Sequence, residues 1–267
     1  MKPLVSIIIP TYNRPRMLAQ CLHAISLDPY KHIEVIVVND AGVDPGSAIE
    51  PFMEQMKVKL VQLSLNHGHV YARNRGLSYA EGDMIMLCDD DDIILPGHIA
   101  RMVQAFRPDQ DTLLYSDVEI VTYTHQNGHR QPKHRQVFAF DFDATLLRQW
   151  NIIISSGILY PHQLHQQVGK FDEEMRDYWD WDFFLRVAQT GLVRRIPYAD
   201  VLYLVSSGGE NLSANQAAMQ KSLLRLQKKH DLGSLPVSSF LLMTKEPALS
   251  PYRKPSCVVW NGSLNFS

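Results

Sequence analysis

The sequence has few cysteines, no long apolar run and no excess of charge of either sign, and each absence excludes a class of protein. Its three cysteines, Cys21, Cys88 and Cys257, lack metal-binding or redox-motif spacing, so they fit a reducing compartment better than a disulfide framework. No stretch approaches the roughly 18 apolar residues of a membrane-spanning helix, and the first apolar run is too short for a secretory signal. We therefore expect a soluble, cytoplasmic protein, with peripheral attachment at the inner face of the membrane left open.

The charge is nearly balanced, because 26 basic and 28 acidic residues give a net charge of −2. This balance argues against a nucleic-acid-binding face, since such faces carry a marked excess of Lys and Arg. Hydrophobic residues make up 45% of the 267 residues, which is enough for a large core and excludes global disorder. Evidence for function must therefore come from local clusters.

Strand-like and helix-like segments alternate over the first 106 residues, which predicts βαβ units with a parallel sheet. The predicted strands are Val5–Ile9, Ile33–Val38, Val58–Leu63 and Met84–Cys88. The predicted helices are Arg16–Leu27, Ala48–Met56 and Val70–Ala80. Ligands bind beyond the carboxyl ends of the strands in such sheets. The loops expected at that edge are Pro10–Arg14, Asn39–Asp44, Leu65–His69 and Asp89–Asp92.

The regular alternation of strand-like and helix-like segments ends after Pro108, and the second half of the chain is more irregular. It predicts a long strand at Leu113–Thr124, helices at Asp177–Ala188 and Ala214–His230, and a polar loop at Gln126–Arg135. His125, His129 and His134 lie in or beside that loop, where a solvated acceptor loop is favoured over a metal site. Residues 233–267 contain several prolines and no periodicity, so we expect a loosely ordered tail.

Four adjacent aspartates, Asp89 to Asp92, directly follow the strand that ends at Cys88. Adjacent carboxylates repel one another, so a cation is expected to neutralise them. Hard oxygen ligands favour Mg²⁺ or Mn²⁺, which commonly arrive with substrate phosphates. The alternative is a solvated acidic turn in which Asp92 caps the next helix. The position at the carboxyl edge of the sheet favours a metal–diphosphate site.

Two further residues lie at the same predicted edge. Asp40 follows the second strand and is able to accept a hydrogen bond from a nucleobase; the alternative is an aspartate that stabilises its own turn. Arg73 lies on the helix after Asn66-His67-Gly68. It is placed to contact a base or a phosphate, and the alternative is a surface ion pair.

The stretch Trp179-Asp180-Trp181-Asp182 combines two carboxylates with aromatic neighbours. A carboxylate beside aromatic walls is desolvated enough to act as a general base near neutral pH. We assign this role to Asp180. For Asp182 we favour a structural role, as the cap of the helix that carries Phe183 and Phe184.

Six motifs stand in order and together resemble glycosyltransferase family 2, whose members are inverting enzymes with the GT-A fold. They are Val5-Ser6-Ile7-Ile8-Ile9-Pro10-Thr11-Tyr12-Asn13-Arg14, Glu34-Val35-Ile36-Val37-Val38-Asn39-Asp40, Ala72-Arg73-Asn74-Arg75-Gly76, Leu87-Cys88-Asp89-Asp90-Asp91-Asp92, Gly169-Lys170-Phe171-Asp172 and Asp180-Trp181-Asp182-Phe183-Phe184-Leu185-Arg186. The resemblance covers roughly residues 3 to 215. It implies an α/β, Rossmann-like, mostly parallel sheet flanked by helices, with residues 1–107 as the nucleotide-binding half, 108–232 as the acceptor-side half and 233–267 as a tail.

The resemblance also implies roles for individual residues. Asp180 matches the catalytic base, and Asp91 matches the aspartate that contacts Mn²⁺ or Mg²⁺. The implied nucleotide-binding residues are Pro10, Thr11, Asn13, Asp40, Arg73, Asp89 and Asp90. The implied reaction is an in-line displacement that transfers a sugar from a nucleotide-sugar donor, commonly UDP-linked, to a saccharide or lipid-linked acceptor with inversion.

Two positions depart from the family pattern. Trp179 precedes Asp180 where an acidic residue is usual, and Tyr203-Leu204-Val205-Ser206 lacks the late-strand His that helps to bind the metal or the diphosphate. The stretch continues as Ser207-Gly208-Gly209-Glu210-Asn211. Metal binding is then weaker, supplied by another group, or completed by a mobile loop. A non-catalytic nucleotide-sugar-binding member of the family is therefore the alternative.

Other enzyme classes are disfavoured by the loop after the first strand. A dinucleotide oxidoreductase or a sugar nucleotidyltransferase needs a glycine-rich loop there, and Pro10-Thr11-Tyr12-Asn13-Arg14-Pro15 contains no glycine. A non-enzymatic sugar- or nucleotide-binding module is the rival from another class. The sequence does not identify the sugar, the acceptor or the oligomeric state, and acceptor choice is expected to lie in the second half.

Overall fold

A computed structural model describes residues 2–126, 129–208 and 216–263, and one sheet forms its centre. The strands are β1 (Val5–Thr11), β2 (Ile33–Asn39), β3 (Lys57–Gln62), β4 (Met84–Leu87), β5 (Ile93–Ile94), β6 (Asp111–Gln126), β7 (His129–Phe138), β8 (Leu159–Pro161), β9 (Leu192–Ser206) and β10 (Cys257–Val258). The helices are α1 (Pro15–Ser26), α2 (Gly46–Ile49), α3 (His69–Leu77), α4 (His98–Ala105), α5 (Ala144–Leu147), α6 (Leu164–Val168), α7 (Trp179–Val187), α8 (Gln216–His230) and α9 (Phe240–Met243). The strand order is β10-β9-β6-β8-β4-β1-β2-β3, with β5 beside β9 and β7 beside β6.

The first half is a parallel sheet, as the sequence predicts, and its strands stand in the order β4-β1-β2-β3. Every residue of β1 and β2 is buried, which explains their β-branched runs without polar alternation. Helix α3 packs closely on this sheet, because a Cβ at Gly76 would lie 2.5 Å from Ile8 Cγ2. The predicted helix Ala48–Met56 is instead the short α2 followed by a 3₁₀ turn at Glu50–Phe52, which contains Pro51.

The second half extends the sheet through β8, which is antiparallel to both β4 and β6. The long strands β6 and β9 then run parallel to each other. The predicted polar loop at Gln126–Arg135 is wrong, because β6 continues to Gln126 and β7 begins at His129, and the two strands pair as an antiparallel hairpin. The sequence carries Asn127-Gly128 between them, a common hairpin turn signal that outweighs the polar composition.

Residues 233–263 are ordered against the rest of the chain, so the expected loose tail is not observed over this range. The segment forms α9, a 3₁₀ helix at Pro247–Tyr252, and β10, which pairs with β9. Leu249 and Trp260 are buried, and their burial offsets the entropy lost on ordering the segment.

The remaining expectations concern membranes and cysteines. Within residues 2–126, 129–208 and 216–263, no helix is both long and apolar enough to cross a bilayer. All three cysteines are unpaired: Cys21 and Cys88 are buried with their Sγ atoms 3.4 Å apart, and Cys257 is exposed. The predicted α/β fold of mostly parallel strands flanked by helices is confirmed.

Candidate active site

The carboxyl ends of β1, β2 and β4 open into a cavity of about 500 Å³. All four loops that the sequence places at this edge contribute to its wall, among them Thr11, Asp40, Gly68 and Asp91. The cavity continues past Asp180 on α7 to the C-terminal segment around α9. Parallel strands and the helices that follow them thus bring together side chains that are far apart in the sequence.

Asp40 is buried at the end of β2, and its carboxylate is held by the loop before α3. Its two oxygens accept hydrogen bonds from the backbone N–H of His67 (2.9 Å) and of Gly68 (2.7 Å). Gly68 has φ of +93°, a conformation that glycine adopts without strain. The bonds reach a different loop, so Asp40 is not the turn-stabilising residue of the alternative reading. Each oxygen retains a lone pair for a ligand.

Arg73 is 2% exposed, so the alternative of an ion pair on the protein surface is wrong. Its guanidinium forms an ion pair with Asp89 and stacks on Trp179, with Cζ 4.0 Å from the ring centre. Nη1 lies 2.6 Å from Nδ1 of His69. Burial and the charge of Arg73 lower the pKa of His69 to about 3, so the imidazole is neutral and accepts this bond. Arg73 therefore connects the loop Asp89–Asp92 to Trp179, the first residue of α7.

Three aspartates of the loop after β4 line the cavity, and we call them the acidic cluster: Asp89, Asp90 and Asp91. Thr11 Oγ1 donates to Asp90 at 2.7 Å, and Arg14 Nη1 lies 2.7 Å from Asp91 and 3.3 Å from Asp90. Burial and the charge of Asp91 raise the pKa of Asp90 to about 7. Burial also raises the pKa of Asp91. The cluster is therefore short of positive charge.

Asp92 points away from this cluster into the core. Its carboxylate accepts hydrogen bonds from the Ser156 hydroxyl (2.5 Å) and from the Leu204 N–H (3.3 Å). Helix α4 begins after Gly97, so the alternative in which Asp92 caps the next helix is wrong. Burial, followed by the charge of Asp91, raises the pKa of Asp92 well above its usual range. Asp92 joins the acidic loop to the core.

Asp180 is 7% exposed and lines the cavity on the side of α7. Its Oδ2 accepts a hydrogen bond from Asn151 Nδ2 (3.0 Å), and Oδ1 accepts one from the Trp181 N–H (2.8 Å). Burial raises the pKa of Asp180 to about 6, because these two hydrogen bonds offset only part of the desolvation. Asp180 is thus a carboxylate of increased basicity at the wall of the cavity.

Asp182 makes a different set of contacts. Arg186 and Lys229 lie 2.9 Å and 2.7 Å from its carboxylate, and His230 Nε2 lies at 2.8 Å. Burial opposes ionisation, but hydrogen bonds from His230 and Lys229 outweigh it and lower the pKa of Asp182 to about 2. Helix α7 begins at Trp179 with Tyr178 as its N-cap, so Asp182 is not the cap that we expected. It ties α7 to α8.

The other predicted nucleotide-binding residues divide into two groups. Pro10 and Thr11 line the cavity. Asn13 does not; its φ is +58°, and its Oδ1 accepts the Val43 N–H at 2.8 Å, so it braces the neighbouring loop.

Sequence reasoning assigned no individual role to Arg14, Arg130 and Asn151, which the structure brings to the site. Arg130 lies on β7 and donates to the Asp91 carbonyl (2.8 Å) and to Gln20 Oε1. Only the Asn127-Gly128 hairpin signal could have indicated that this arginine lies on a strand of the sheet. Arg14 ends one of the four loops expected at this edge, but no local pattern distinguishes its side chain, and Asn151 lies in a loop without a distinctive pattern.

The site supplies few ligands of its own to a divalent cation, and a substrate diphosphate would complete the set. Among the side chains that the structure describes, no group of three or more His, Cys, Asp and Glu residues is placed to hold a metal ion. Mg²⁺ and Mn²⁺ sites built on phosphates use one or two carboxylates, and Asp91 lines the cavity at this point. The late-strand residues Tyr203, Leu204 and Val205 also line it, whereas Gly209 to Asn211 lie outside the described residues.

Comparison with known proteins gives the family. The profile of glycosyl transferase family 2 matches residues 6–178, nearly two thirds of the chain. An uncharacterized glycosyltransferase of Bacillus subtilis (strain 168), YwdF, is 41% identical over 266 residues, which cover 98% of this chain and 97% of YwdF. The chain belongs to glycosyl transferase family 2.

Solved structures agree on the fold. A segment of S. aureus TarS in complex with UDP has a TM-score of 0.61 at 21% identity, covering 85% of this chain and 66% of that one. The mannosyltransferase PcManGT of Pyrobaculum calidifontis, in complex with GDP-Man and Mn²⁺, has a TM-score of 0.63 at 20% identity, covering 88% of this chain and 66% of that one. The fold is that of GT-A glycosyltransferases, and the protein is a glycosyltransferase.

Proposed function

We propose that the protein transfers a sugar from a nucleoside-diphosphate sugar, UDP-linked, to a hydroxyl acceptor with inversion at the anomeric carbon. The main observation in support of this proposal is that Asp180 lines the same cavity as the acidic cluster, Asp40 and Arg73. A donor with its base near Asp40 and its diphosphate near Asp91 would then present its sugar toward Asp180. Solved structures with the same fold contain UDP, UDP-GlcNAc or GDP-Man, which supports a nucleotide-sugar donor.

Asp180 acts as the general base in this proposal. Its carboxylate takes the proton of the acceptor hydroxyl while that oxygen bonds to the anomeric carbon. The bond from this carbon to the diphosphate oxygen breaks, and the nucleoside diphosphate leaves with the electron pair. A pKa of about 6 suits the role, because the group is mostly ionised near neutral pH but more basic than an exposed aspartate.

Donor recognition is assigned to residues at the ends of β1, β2 and β4. Asp40 accepts a hydrogen bond from the base, Thr11 and Arg73 complete the base pocket with Pro10, and Asp89 and Asp90 face the ribose. Asp91 would hold Mn²⁺ or Mg²⁺, and such an ion would neutralise charge on the leaving diphosphate. The PcManGT complex with Mn²⁺ supports an ion of this type.

The acceptor is assigned to the part of the cavity between α7 and α9. Trp150, Tyr178 and Phe240 line this part together with Asn151 and Ser239. Aromatic rings combined with a few polar side chains suit a saccharide or a lipid-linked saccharide. An acceptor of this kind would belong to polysaccharide or glycolipid assembly, which we propose as the setting of the reaction. Peripheral contact with the inner face of a membrane stays a prediction.

A thermal-shift screen of the purified protein against nucleotide sugars, with and without Mn²⁺, tests the proposal. We expect stabilisation by UDP-sugars that increases with Mn²⁺, followed by release of UDP when an acceptor is added. Stabilisation without release of UDP, even in long incubations with water as acceptor, would favour the non-catalytic binding protein. No stabilisation by any nucleotide sugar would reject the donor class.

A further inference from the structure

Asp90 and Asp91 form ion pairs with the same side chain, the guanidinium of Arg14. Its Nη1 lies 2.7 Å from Asp91 Oδ2 and 3.3 Å from Asp90 Oδ1. Within the part of the chain that the structure describes, this guanidinium forms its side-chain hydrogen bonds through Nη1 alone. The side chain is 33% exposed and lines the cavity. Its remaining N–H groups are therefore available to a ligand.

The backbone at Arg14 is fixed although the side chain is not buried. The Arg14 carbonyl accepts the Leu18 N–H at 3.0 Å, and Pro15 begins helix α1 directly after it. Proline restricts its own φ and the conformation of the preceding residue. A change of partner at Arg14 therefore requires side-chain rotation only.

A diphosphate beside the acidic cluster requires a rearrangement of charge. Arg73 pairs with Asp89, and Arg14 is shared by Asp90 and Asp91, so these three carboxylates form ion pairs with two guanidinium groups. A third guanidinium, that of Arg130, bonds to the Asp91 carbonyl instead of a carboxylate. A bound diphosphate adds further negative charge at the same place. A planar guanidinium binds phosphate oxygens in a bidentate manner, and a small divalent cation is better suited to a single carboxylate.

We propose that Arg14 is a diphosphate-binding residue that rests on Asp90 and Asp91 in the nucleotide-free protein and moves to the donor diphosphate when a divalent cation takes its place on Asp91. The inference rests on the proposed donor function. It predicts that Arg14 competes with the cation when no nucleotide is present, and that the cation and the nucleotide strengthen each other's binding. Such coupling is reciprocal by thermodynamic necessity.

The test compares Arg14→Gln with Arg16→Gln, which removes a positive charge from an exposed position two residues later, in the first turn of α1. Free Mn²⁺ is followed by electron paramagnetic resonance without nucleotide, and UDP affinity is measured by calorimetry in EDTA and in Mn²⁺. We expect Arg14→Gln to bind Mn²⁺ about threefold or more tightly than the parent and UDP about tenfold or more weakly in Mn²⁺, the usual effect of losing a charge-assisted bond. Arg16→Gln should match the parent in both measurements.

The inference requires both changes, so unchanged or weaker Mn²⁺ binding, or unchanged UDP affinity, in Arg14→Gln would overturn it. If this variant does not fold, Arg14→Lys replaces it, because lysine keeps the charge and loses the bidentate fork. Arg14→Lys should then bind Mn²⁺ as the parent does and UDP more weakly, and parent-like UDP affinity would overturn the inference. A parent protein that binds neither UDP nor GDP in either condition would reject the proposed function itself.

Discussion

Asp180 and Asp182 lie two residues apart in the first turn of α7, and their carboxylates occupy opposite electrostatic surroundings. Successive helical residues rotate by about 100°, so this spacing sends the two side chains to nearly opposite faces. Asp180 faces the cavity with Asn151 as its side-chain donor, and its pKa is raised to about 6. Asp182 faces α8 between two basic side chains, and its pKa is lowered to about 2. One carboxylate is poised to accept a proton, and the other holds two helices together.

Replacing Asp180 by Asn should greatly slow transfer without loss of donor binding. Asparagine keeps the shape of aspartate but cannot take the acceptor proton, so we expect the transfer rate to fall by about 10²–10⁴-fold. Donor affinity, measured by titration with UDP, should stay within about twofold of the parent, because the proposed partner of Asp180 is the acceptor hydroxyl rather than the nucleotide.

The same variant separates a catalytic role from a structural one through its stability. A buried carboxyl with a raised pKa makes the folded state less stable as the pH rises from about 4 to about 6, since the folded form then holds the proton more tightly. Asparagine has no charge to desolvate, so the variant should melt at or above the temperature of the parent at about pH 7.5. Transfer at the parental rate would reject the base assignment, and a large drop in melting temperature would favour a structural role.

Replacing Asp182 by Asn should destabilise the protein. Lowering the pKa of Asp182 to about 2 corresponds to about 2–3 kcal/mol of stability at neutral pH, and this variant leaves Arg186, Lys229 and His230 without their common partner. The contribution is present above the unfolded-state pKa of about 4 and is lost as the pH falls through about 2. Denaturant unfolding at about pH 7 should therefore show a loss of about 2–4 kcal/mol.

The neighbouring ion pair of Arg225 with Glu174 offers a matched control for this variant. Both side chains are exposed, at 44% and 72%, so Glu174→Gln should change the free energy of unfolding by less than about 1 kcal/mol. Equal losses of stability in Asp182→Asn and Glu174→Gln would show that the contacts of Asp182 stabilise the protein no more than an exposed ion pair does. An Asp182→Asn variant of parental stability and reduced transfer would instead assign Asp182 to the chemistry.

The sequence predicts the nucleotide-binding half well because its physical signals are local. Buried parallel strands need continuous apolar runs, and Val5–Ile9 and Ile33–Val38 show them without interruption. The carboxyl ends of parallel strands meet at one edge, so Asp40, after the second predicted strand, and Asp91, after the fourth, are both expected there.

What the sequence could not predict depends on contacts between distant segments. Arg130 meets Asp91 only because β6 and β7 form a long hairpin, and Asn151 meets Asp180 across 29 positions of the chain. The opposite roles of Asp40 and Asp92, one facing the cavity and one facing the core, also depend on which neighbouring backbone N–H groups are free to bond. No local pattern carries that information.

Replacing Asp40 by Asn should weaken nucleotide binding. Asparagine keeps one acceptor oxygen for the loop before α3, but its amide group cannot accept the second N–H or a hydrogen bond from a base. We expect UDP affinity to fall by about 1–3 kcal/mol, the usual effect of losing a partner in a buried polar contact. Calorimetric titration measures this loss, and Asp44→Asn, at an exposed position four residues on, is the control. Parent-like affinity in Asp40→Asn would place the base pocket elsewhere.

Replacing Asp91 by Ala should remove the dependence of nucleotide binding on the cation. In the parent we expect UDP to bind at least about tenfold more tightly in Mn²⁺ than in EDTA, because a diphosphate beside the acidic cluster needs a neutralising charge. In Asp91→Ala the affinities in the two conditions should converge, whereas Asp109→Ala, on the exposed turn after α4, should behave as the parent. Equal UDP affinity in EDTA and in Mn²⁺ for the parent would contradict the metal assignment at Asp91.

The transfer rate should rise with pH through the pKa of Asp180. The base is active only when ionised, so at saturating donor and acceptor the turnover number should increase about tenfold per pH unit below about pH 6 and level off above it. Asp90, whose pKa is raised to about 7, lies in the donor part of the cavity and should affect donor affinity rather than turnover once donor is saturating. The residual activity of Asp180→Asn should show no such step. A parental profile that is flat between about pH 5 and about pH 7, with release of UDP or product shown not to limit the rate, would mean that another group takes the proton.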